Sequence, residues 1–299
     1  MRFGLLSWSI RSLGDGAPWE ESLKVTAKLG YTATELITCQ PEDLDSYWKP
    51  KSKSVKDLCN SLGLNISQFA MFQPVVGNLI SPDKKKKELA FEYIKKSADV
   101  ANQLGTAILN FVAQWPVGIE APVPYVPRYY YVIDIGGEPK LKMKLPTPLR
   151  WNALWDEYLE AVGRCLKICA EHDLKLSIEN HLHTMVPTTD AFMRIWDHFK
   201  DDRLGCNLDI GWSFLTREYV PTSILKLNSR LINIHLRDCD GFAHNFVCPG
   251  MGAIDYGTIR EALDEIGYKG DVNVELSEFE DEREFISATA LRLAGGFFK

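Results

Sequence analysis

Histidine is scarce in this chain: there are six among 299 residues, and none before position 172. A nest of imidazole ligands drawn from both halves of the chain is therefore excluded. Long apolar runs are also missing, since no stretch approaches the roughly 18 residues that a membrane-spanning helix requires, and the chain reads as soluble. The first eight residues, Met1 to Trp8, run into an apolar segment too short for a signal peptide and without its small-residue cleavage site. There is no surplus of positive charge. Lys plus Arg number 34 against 40 Asp plus Glu, a net charge of −6, so neither nucleic acid nor a membrane surface is an expected partner. No CxxC pair occurs among the seven cysteines (39, 59, 165, 169, 206, 239 and 248), an odd, scattered set that fits reduced thiols and a cytoplasmic location. Cys165 and Cys169 stand four apart on one expected helix, where burial explains them better than a metal or redox role. What remains, 45% hydrophobic and 25% charged residues, excludes disorder, collagen-like repetition and a disulfide miniprotein.

Short apolar runs alternate with longer amphipathic ones along the whole length, the pattern of βα units on a parallel sheet. Strands are expected at 2–9, 33–37, 65–70, 107–112, 175–180, 204–209, 231–236 and 271–276. Helices are expected at 19–29, 52–61, 82–104, 151–172, 188–199, 221–227, 256–266 and 282–294. Eight of each predicts an α/β fold, a (β/α)8 TIM barrel occupying residues 1–299 as a single domain. Ser81-Pro82-Asp83 reads as a helix start with its cap and first-turn proline, and Leu29-Gly30, Leu104-Gly105 and Ile266-Gly267 read as helix stops. Lysines 84 to 87 then form a solvated face in the first turns of that helix.

One stretch breaks the rhythm. Residues 114–150 carry seven prolines, three consecutive tyrosines at 129–131 and the pair Gly136-Gly137, between strand four and its helix. They predict an elaborated loop after strand four, with a small hairpin at the glycines, lying over the catalytic end of the barrel. A plain solvent loop or an oligomer contact is the alternative.

In such barrels chemistry sits where strands end. The last four strands each end in one potential metal ligand: Glu179, Asp209, His235 and Glu275. An unpaired buried carboxylate is costly, so four apolar strands breaking the same rule at one height imply a shared cation. Three carboxylates and one imidazole form an oxygen-rich set that suits Mn²⁺, Mg²⁺ or Co²⁺ better than structural zinc. Taken singly, Asp209 would serve as a helix cap and Glu275 as half of a salt bridge.

The series Ile178-Glu179-Asn180-His181, Leu208-Asp209-Ile210-Gly211, Ile234-His235-Leu236-Arg237-Asp238, Pro249-Gly250-Met251-Gly252-Ala253-Ile254-Asp255-Tyr256 and Val274-Glu275 resembles the xylose isomerase-like sugar phosphate isomerase/epimerase superfamily. The intervals 209−179=30, 235−209=26 and 275−235=40 are of the kind that superfamily uses, and Leu29-Gly30-Tyr31 through Glu35 resembles its second βα unit. The resemblance covers nearly the whole chain apart from residues 114–150. It implies that Glu179, Asp209, His235 and Glu275 bind one divalent metal, commonly Mn²⁺. It also implies that Glu179 and Glu275 flank the substrate as acid and base, moving a proton next to a carbonyl through a metal-stabilised enediolate. A metal-dependent sugar isomerase or epimerase is the first expectation.

The chain departs from the ketose epimerases of that superfamily. Their Asp-x-x-His becomes Asp209-Ile210-Gly211-Trp212, and the arginine they carry six residues past the metal histidine is Gly241. His181 and His183 stand two apart, on one side if the strand continues, and His244 follows strand seven. His181, His183, His244, Arg237, Trp212 and Trp8 are the expected substrate contacts, the two tryptophans and Tyr129–Tyr131 stacking on a pyranose or an aromatic aglycone, or else packing the barrel mouth. The second expectation is a lyase or dehydratase on keto-sugars or 3-keto-glycosides, including a C-glycoside-cleaving subunit, which would expel a leaving group from the neighbouring carbon. A carbohydrate or glycoside substrate fits both, with a homo-oligomer or a second subunit as the open question of assembly. The superfamily's DNA-cleaving endonuclease branch needs first-half histidines that this chain lacks, and a non-catalytic sugar sensor is the remaining class.

Overall fold

Where side chains alternate along a strand, one face must meet the surrounding helices and the other the barrel interior. The structure, a computed structural model, describes residues 1–10, 19–38, 41–72, 76–116, 150–241, 246–276 and 283–298. In chain order the elements are β1 (Arg2–Leu6), α1 (Trp19–Lys28), β2 (Ala33–Thr38), α2 (Asp43–Tyr47), α3 (Lys51–Ser61), β3 (Asn65–Met71), α4 (Lys84–Leu104), β4 (Ile108–Val112), α5 (Trp151–Glu171), β5 (Lys175–Glu179) and α6 (Thr189–Phe199). There follow β6 (Leu204–Asp209), α7 (Ile210–Leu215), α8 (Val220–Leu227), β7 (Leu231–Leu236), β8 (Asp238–Cys239), β9 (Phe246–Val247), α9 (Tyr256–Glu265), β10 (Asp271–Val274) and α10 (Arg283–Phe297). Strands β1 to β7 and β10 pair in parallel and close in the order β1-β10-β7-β6-β5-β4-β3-β2, a TIM barrel as the alternation predicts. The pair β8 and β9 forms a separate antiparallel ribbon. Among the described residues no helix is long and apolar enough to cross a membrane.

Several boundaries shift for local reasons. The first strand stops at Leu6 because Ser7–Ser9 wind into one 3₁₀ turn, and the strands expected to reach 180 and 276 end at Glu179 and Val274. The helix expected from residue 82 begins at Lys84: Asp83, not Ser81, is its cap, since its carboxylate accepts from both Lys85 N and Lys86 N. Gly105 ends that helix at φ 83°, a left-handed conformation that favours glycine. Helices α2 and α7 were not legible, because five or six residues are too few to develop a 3.6-residue apolar repeat. Residues 117–149 of the expected loop, with Tyr129–Tyr131 and Gly136-Gly137, lie outside the described residues, as do Cys39 and His244. The six described cysteines are all unpaired and buried.

The outward faces of the strands, such as Leu204, Cys206 and Leu208 of β6, are buried beneath the helices, while the inward faces are unusually polar. Asn110, Asn207, Asn233 and Asn273 are all buried inside the barrel. Room for them is made locally: a Cβ at Gly4 would overlap the Asn273 amide. At the opposite end from the strand termini, Arg2 Nε donates to Asp271 Oδ1 at 2.6 Å and Asn65 Nδ2 to Asp271 Oδ2 at 3.0 Å, tying β1, β10 and β3 together.

Candidate metal centre and active site

Parallel register sets the heights. Glu179 lies beside Asn207, Asp209 beside His235, and His235 beside Asn273, so the ends of β5, β6 and β7 and the residue just after β10 meet at one level. Glu179, Asp209, His235 and Glu275 each bring one ligand atom to a spot where those atoms lie within 4.8 Å of one another. Donors on opposite sides of a divalent cation stand roughly 4–5 Å apart, so the spacing fits a single ion.

The electrostatics of the cluster are lopsided. Glu35, Glu179, Asp209 and Glu275, all buried, contribute four carboxylates against one guanidinium, Arg237, and one imidazole, His235. Arg237 Nε stands 2.8 Å from Asp209 Oδ2, and its Nη2 contacts Glu275 Oε1. His235 Nδ1 faces Glu275 Oε2 at 2.9 Å and Glu179 Oε1 at 3.4 Å, while Nε2 on the far side of the ring faces Glu35 Oε2 at 2.9 Å. Burial drives the Asp209 carboxyl well up against the pull of Arg237. Burial would raise Glu275 as well, but Arg237 and His235 outweigh it and hold that carboxyl below the usual range. Burial opposes protonation of His235, yet Glu179, Glu35 and Glu275 raise it well above an ordinary histidine. Apart from these ion-pair contacts, Asp209 Oδ2, His235 Nδ1 and Glu275 Oε2 are buried without a well-aligned hydrogen bond. Surplus buried negative charge and three buried ligand atoms without well-aligned hydrogen bonds are what a divalent ion would resolve, so these residues fit one.

Both single-residue alternatives hold at the same time as the cluster. Asp209 Oδ1 caps α7, accepting from Trp212 N at 2.9 Å, and Glu275 is indeed ion-paired. Each carboxylate spends one oxygen on structure and turns the other to the centre.

A chain of side-chain amides wraps the barrel beneath the cluster. Ser67 Oγ donates to Asn273 Oδ1 at 3.2 Å, Asn273 Nδ2 to Asn233 Oδ1 at 2.9 Å, Asn233 Nδ2 to Asn207 Oδ1 at 3.0 Å, and Asn207 Nδ2 to Glu179 Oε2 at 2.9 Å. Each link is a buried amide satisfied by the next, and the chain ends on a carboxylate. Sequence reasoning missed these residues, although the signal was present. Ser177-x-Glu179, Asn207-x-Asp209, Asn233-x-His235 and Asn273-x-Glu275 place a polar residue two positions before every ligand candidate, hence on the same inward face.

The cluster opens on a cavity of about 240 Å³. One side is polar, with Glu35, Glu179, His181, His235, Arg237 and Glu275. The other is apolar, formed by Leu6, Trp8, Ile37, Ala70, Phe72, Val112 and Trp115, and the buried Trp212 completes the lining. Asp209 lies behind this lining. The His181 and Trp212 rings sit 4.2 Å apart, and Phe72 and Trp115 approach His181 at 6.3 and 6.1 Å. Burial depresses the His181 imidazole to about 4, and its Nδ1 donates to the Leu182 carbonyl at 3.2 Å, which makes Nε2 of the neutral ring an acceptor. His183 does not share that side. The strand stops at Glu179, His183 takes φ 63°, and its side chain is exposed outside the cavity lining. Of the expected substrate contacts, His181, Trp212, Arg237 and Trp8 line the cavity, and His244 lies outside the described residues. Leu6, Glu35, Ile37, Ala70, Phe72, Val112 and Trp115 are the lining residues that sequence reasoning did not propose. His172 and His198 belong to the helical shell, His172 capping α5 and pairing with Asp99 at 3.1 Å.

Comparison with known proteins places this geometry in context. Over 91% of its length the chain is 24% identical to an inosose dehydratase of Geobacillus kaustophilus (strain HTA426), covering 85% of that protein. Among solved structures it resembles the D-psicose 3-epimerase of Clostridium cellulolyticum H10 with D-tagatose, at a TM-score of 0.77 and 16% identity over 100% of both chains. It also resembles an L-ribulose 3-epimerase, at a TM-score of 0.75 and 17% identity over 99% of this chain and 94% of that one. At such identities the two structures speak to the fold. A family model described as "Xylose isomerase-like TIM barrel" matches residues 23–294, and the chain belongs to that family.

Proposed function

We propose that the protein is a divalent-metal-dependent enzyme that removes a proton from the carbon beside a carbonyl in a keto-sugar or cyclic keto-polyol, with elimination of a neighbouring hydroxyl or alkoxyl as the outcome. The observation that carries the proposal is the convergence of Glu179, Asp209, His235 and Glu275 beside a cavity whose opposite wall is apolar. A divalent ion held by those four side chains would supply positive charge for the oxygens on which negative charge develops as the C–H bond breaks. The chain's own groups do the rest. Glu179, braced by the Asn207 amide, takes the proton. Arg237 holds Glu275 as an anion in a fixed orientation. The electron pair from the C–H bond forms a C=C bond as the C–O bond at the next carbon breaks, and the leaving oxygen departs as water or an alcohol with the proton that Glu179 took up. His181 and Trp212 hold the sugar face, and the apolar wall excludes bulk water.

Unequal partners favour elimination. Return of a proton to the opposite face, as in an epimerase, needs two glutamates that can exchange roles, but Glu275 contacts a guanidinium whereas Glu179 receives amides. Similarity to inosose dehydratases along most of the chain supports the same outcome. The epimerase or isomerase reading stands second, favoured by the two glutamates flanking one centre. A keto-glycoside with a flat apolar aglycone is the variant favoured by Trp8, Phe72, Trp115 and Trp212 around the cavity. Incubation of inososes, ketohexoses and 3-keto-glycosides with the Mn²⁺-loaded protein in deuterated water tests these readings. An unsaturated or diketo product with release of water or aglycone is expected; a deuterated epimer without elimination would transfer the assignment to the epimerase, and no exchange with any of them would overturn both.

A further inference from the structure

Strand β5 ends at Glu179, and its pairing with β6 stops at Asn207, yet β6 runs on two residues further to Asp209. Beyond Asn180 the chain folds into a tight turn, with His181 N donating to the Val186 carbonyl at 3.1 Å and Thr184 Oγ1 to the His181 carbonyl at 2.6 Å. That turn delivers His181 to the cavity, and it ends the main-chain ladder before Asp209. The Asn180 carboxamide continues the ladder. Its Oδ1 accepts from Asp209 N at 2.9 Å, while Nδ2 donates to the Asp209 carbonyl at 3.2 Å and to Ser213 Oγ of α7 at 3.2 Å. Asn180, Asp209 and Ser213 are all fully buried. The Asp209 N–H can only donate, so it fixes which end of the amide faces it, and losing the amide would leave both backbone groups of Asp209 buried without that partner.

We propose that Asn180 is a positioning residue that sets the height of Asp209 in the ligand cluster. It lets β5 leave the barrel to place His181 while β6 stays in line long enough to bring its carboxylate to the centre. On its other side Asp209 is already held, paired with His235 of β7. The inference rests on the metal-centre reading above for its purpose, but its first measurement does not. Removing the groups that hold metal ligands in place typically costs about 10- to 100-fold in metal affinity.

The experiment compares wild type, Asn180→Leu, Asn180→Ala and Ser213→Ala. In the metal-free proteins, hydrogen exchange reads the Asp209 amide against those of Asn207 and Leu208 on the same strand. Calorimetric titration reads Mn²⁺ affinity, and water-proton relaxation counts the waters on the bound ion. Asn180→Leu keeps the size and loses the hydrogen bonds. It is expected to speed exchange at Asp209 about 10-fold or more with Asn207 and Leu208 unchanged. Mn²⁺ affinity should fall about 10- to 100-fold, with about one more water per ion where the Asp209 carboxylate has withdrawn. Asn180→Ala leaves room for a water to satisfy the freed backbone groups, so it carries the test if Asn180→Leu does not fold, with affinity about 10-fold down. Ser213→Ala removes only the α7 contact and should stay within twofold of wild type. Affinity within twofold of wild type in Asn180→Leu, or in Asn180→Ala should it stand in, overturns the proposal. So does lowered affinity with an unchanged water count, exchange that quickens evenly along β6, or an equal loss in Ser213→Ala. Failure of wild type to take up Mn²⁺ would sink the metal-centre reading, while exchange at Asp209 would still decide whether Asn180 holds that residue.

Discussion

The two halves of this barrel are built from the same βα units and furnish opposite walls of one cavity. From β5 onward each barrel strand carries one ligand candidate at or next to its end, and Arg237 follows β7 to counter two of them. From β1 to β4 the corresponding side chains are Leu6, Ile37, Ala70 and Val112, with Phe72 and Trp115 just beyond. Glu35 is the exception, and it belongs functionally to the other half because its partner is His235. The division shows how a buried cluster of carboxylates can be tolerated: charge is confined to adjacent strands, where short lateral links satisfy it, while the facing wall supplies shape and dryness.

The contrast is broken most severely from the polar side. Glu179→Gln or Glu275→Gln should lower kcat by about 10³-fold or more while circular dichroism stays that of the native fold. Retention of near-wild-type turnover would remove the proposed roles. Purified protein reconstituted with Mn²⁺ should hold about one ion per chain by elemental analysis, and Asp209→Asn or His235→Ala should hold only a small fraction of that. Arg237→Met leaves Asp209 and Glu275 without their buried counter-ion. It should destabilise the metal-free protein by about 3–5 kcal/mol in urea unfolding, and by clearly less when Mn²⁺ is present to replace the lost positive charge.

From the apolar side the effects should be gentler. Trp8→Ala removes a stacking surface and should raise KM about 2- to 10-fold, with kcat little changed, corresponding to roughly 0.5–1.5 kcal/mol of ring contact. Least of all, Arg2→Ala at the closed end breaks a half-exposed ion pair with Asp271. It should cost no more than about 1 kcal/mol of stability and leave turnover untouched.

Much of this was legible in the sequence because of where the unusual residues fell. Glu179, Asp209, His235 and Glu275 stand at the ends of four adjacent strands, and although Asp209 caps a helix and Glu275 pairs with Arg237, those single roles do not account for four such residues at one level. Glu35 was not legible as their partner. Its nearest acid-facing neighbour, Gln68, comes opposite only because the pairing of β2 with β3 shifts register between Thr34 and Leu36, and such a shift is a property of assembled strands. His183 illustrates the converse: the period of two that would have placed it beside His181 ends with the strand at Glu179. Phe72 and Trp115 follow β3 and β4 as ordinary aromatics, and only closure of the barrel turns them toward the carboxylates.

The amide chain running from Ser67 through Asn273, Asn233 and Asn207 to Glu179 also has a sense of direction. Every carboxamide has its NH₂ toward Glu179 and its oxygen behind, like dominoes tipped one way by an acceptor that cannot donate. An aspartate substituted anywhere in the row would set two acceptors face to face, so the error would be felt as a break in polarity spanning several strands. The barrel interior thereby checks the identity of its own residues as it closes.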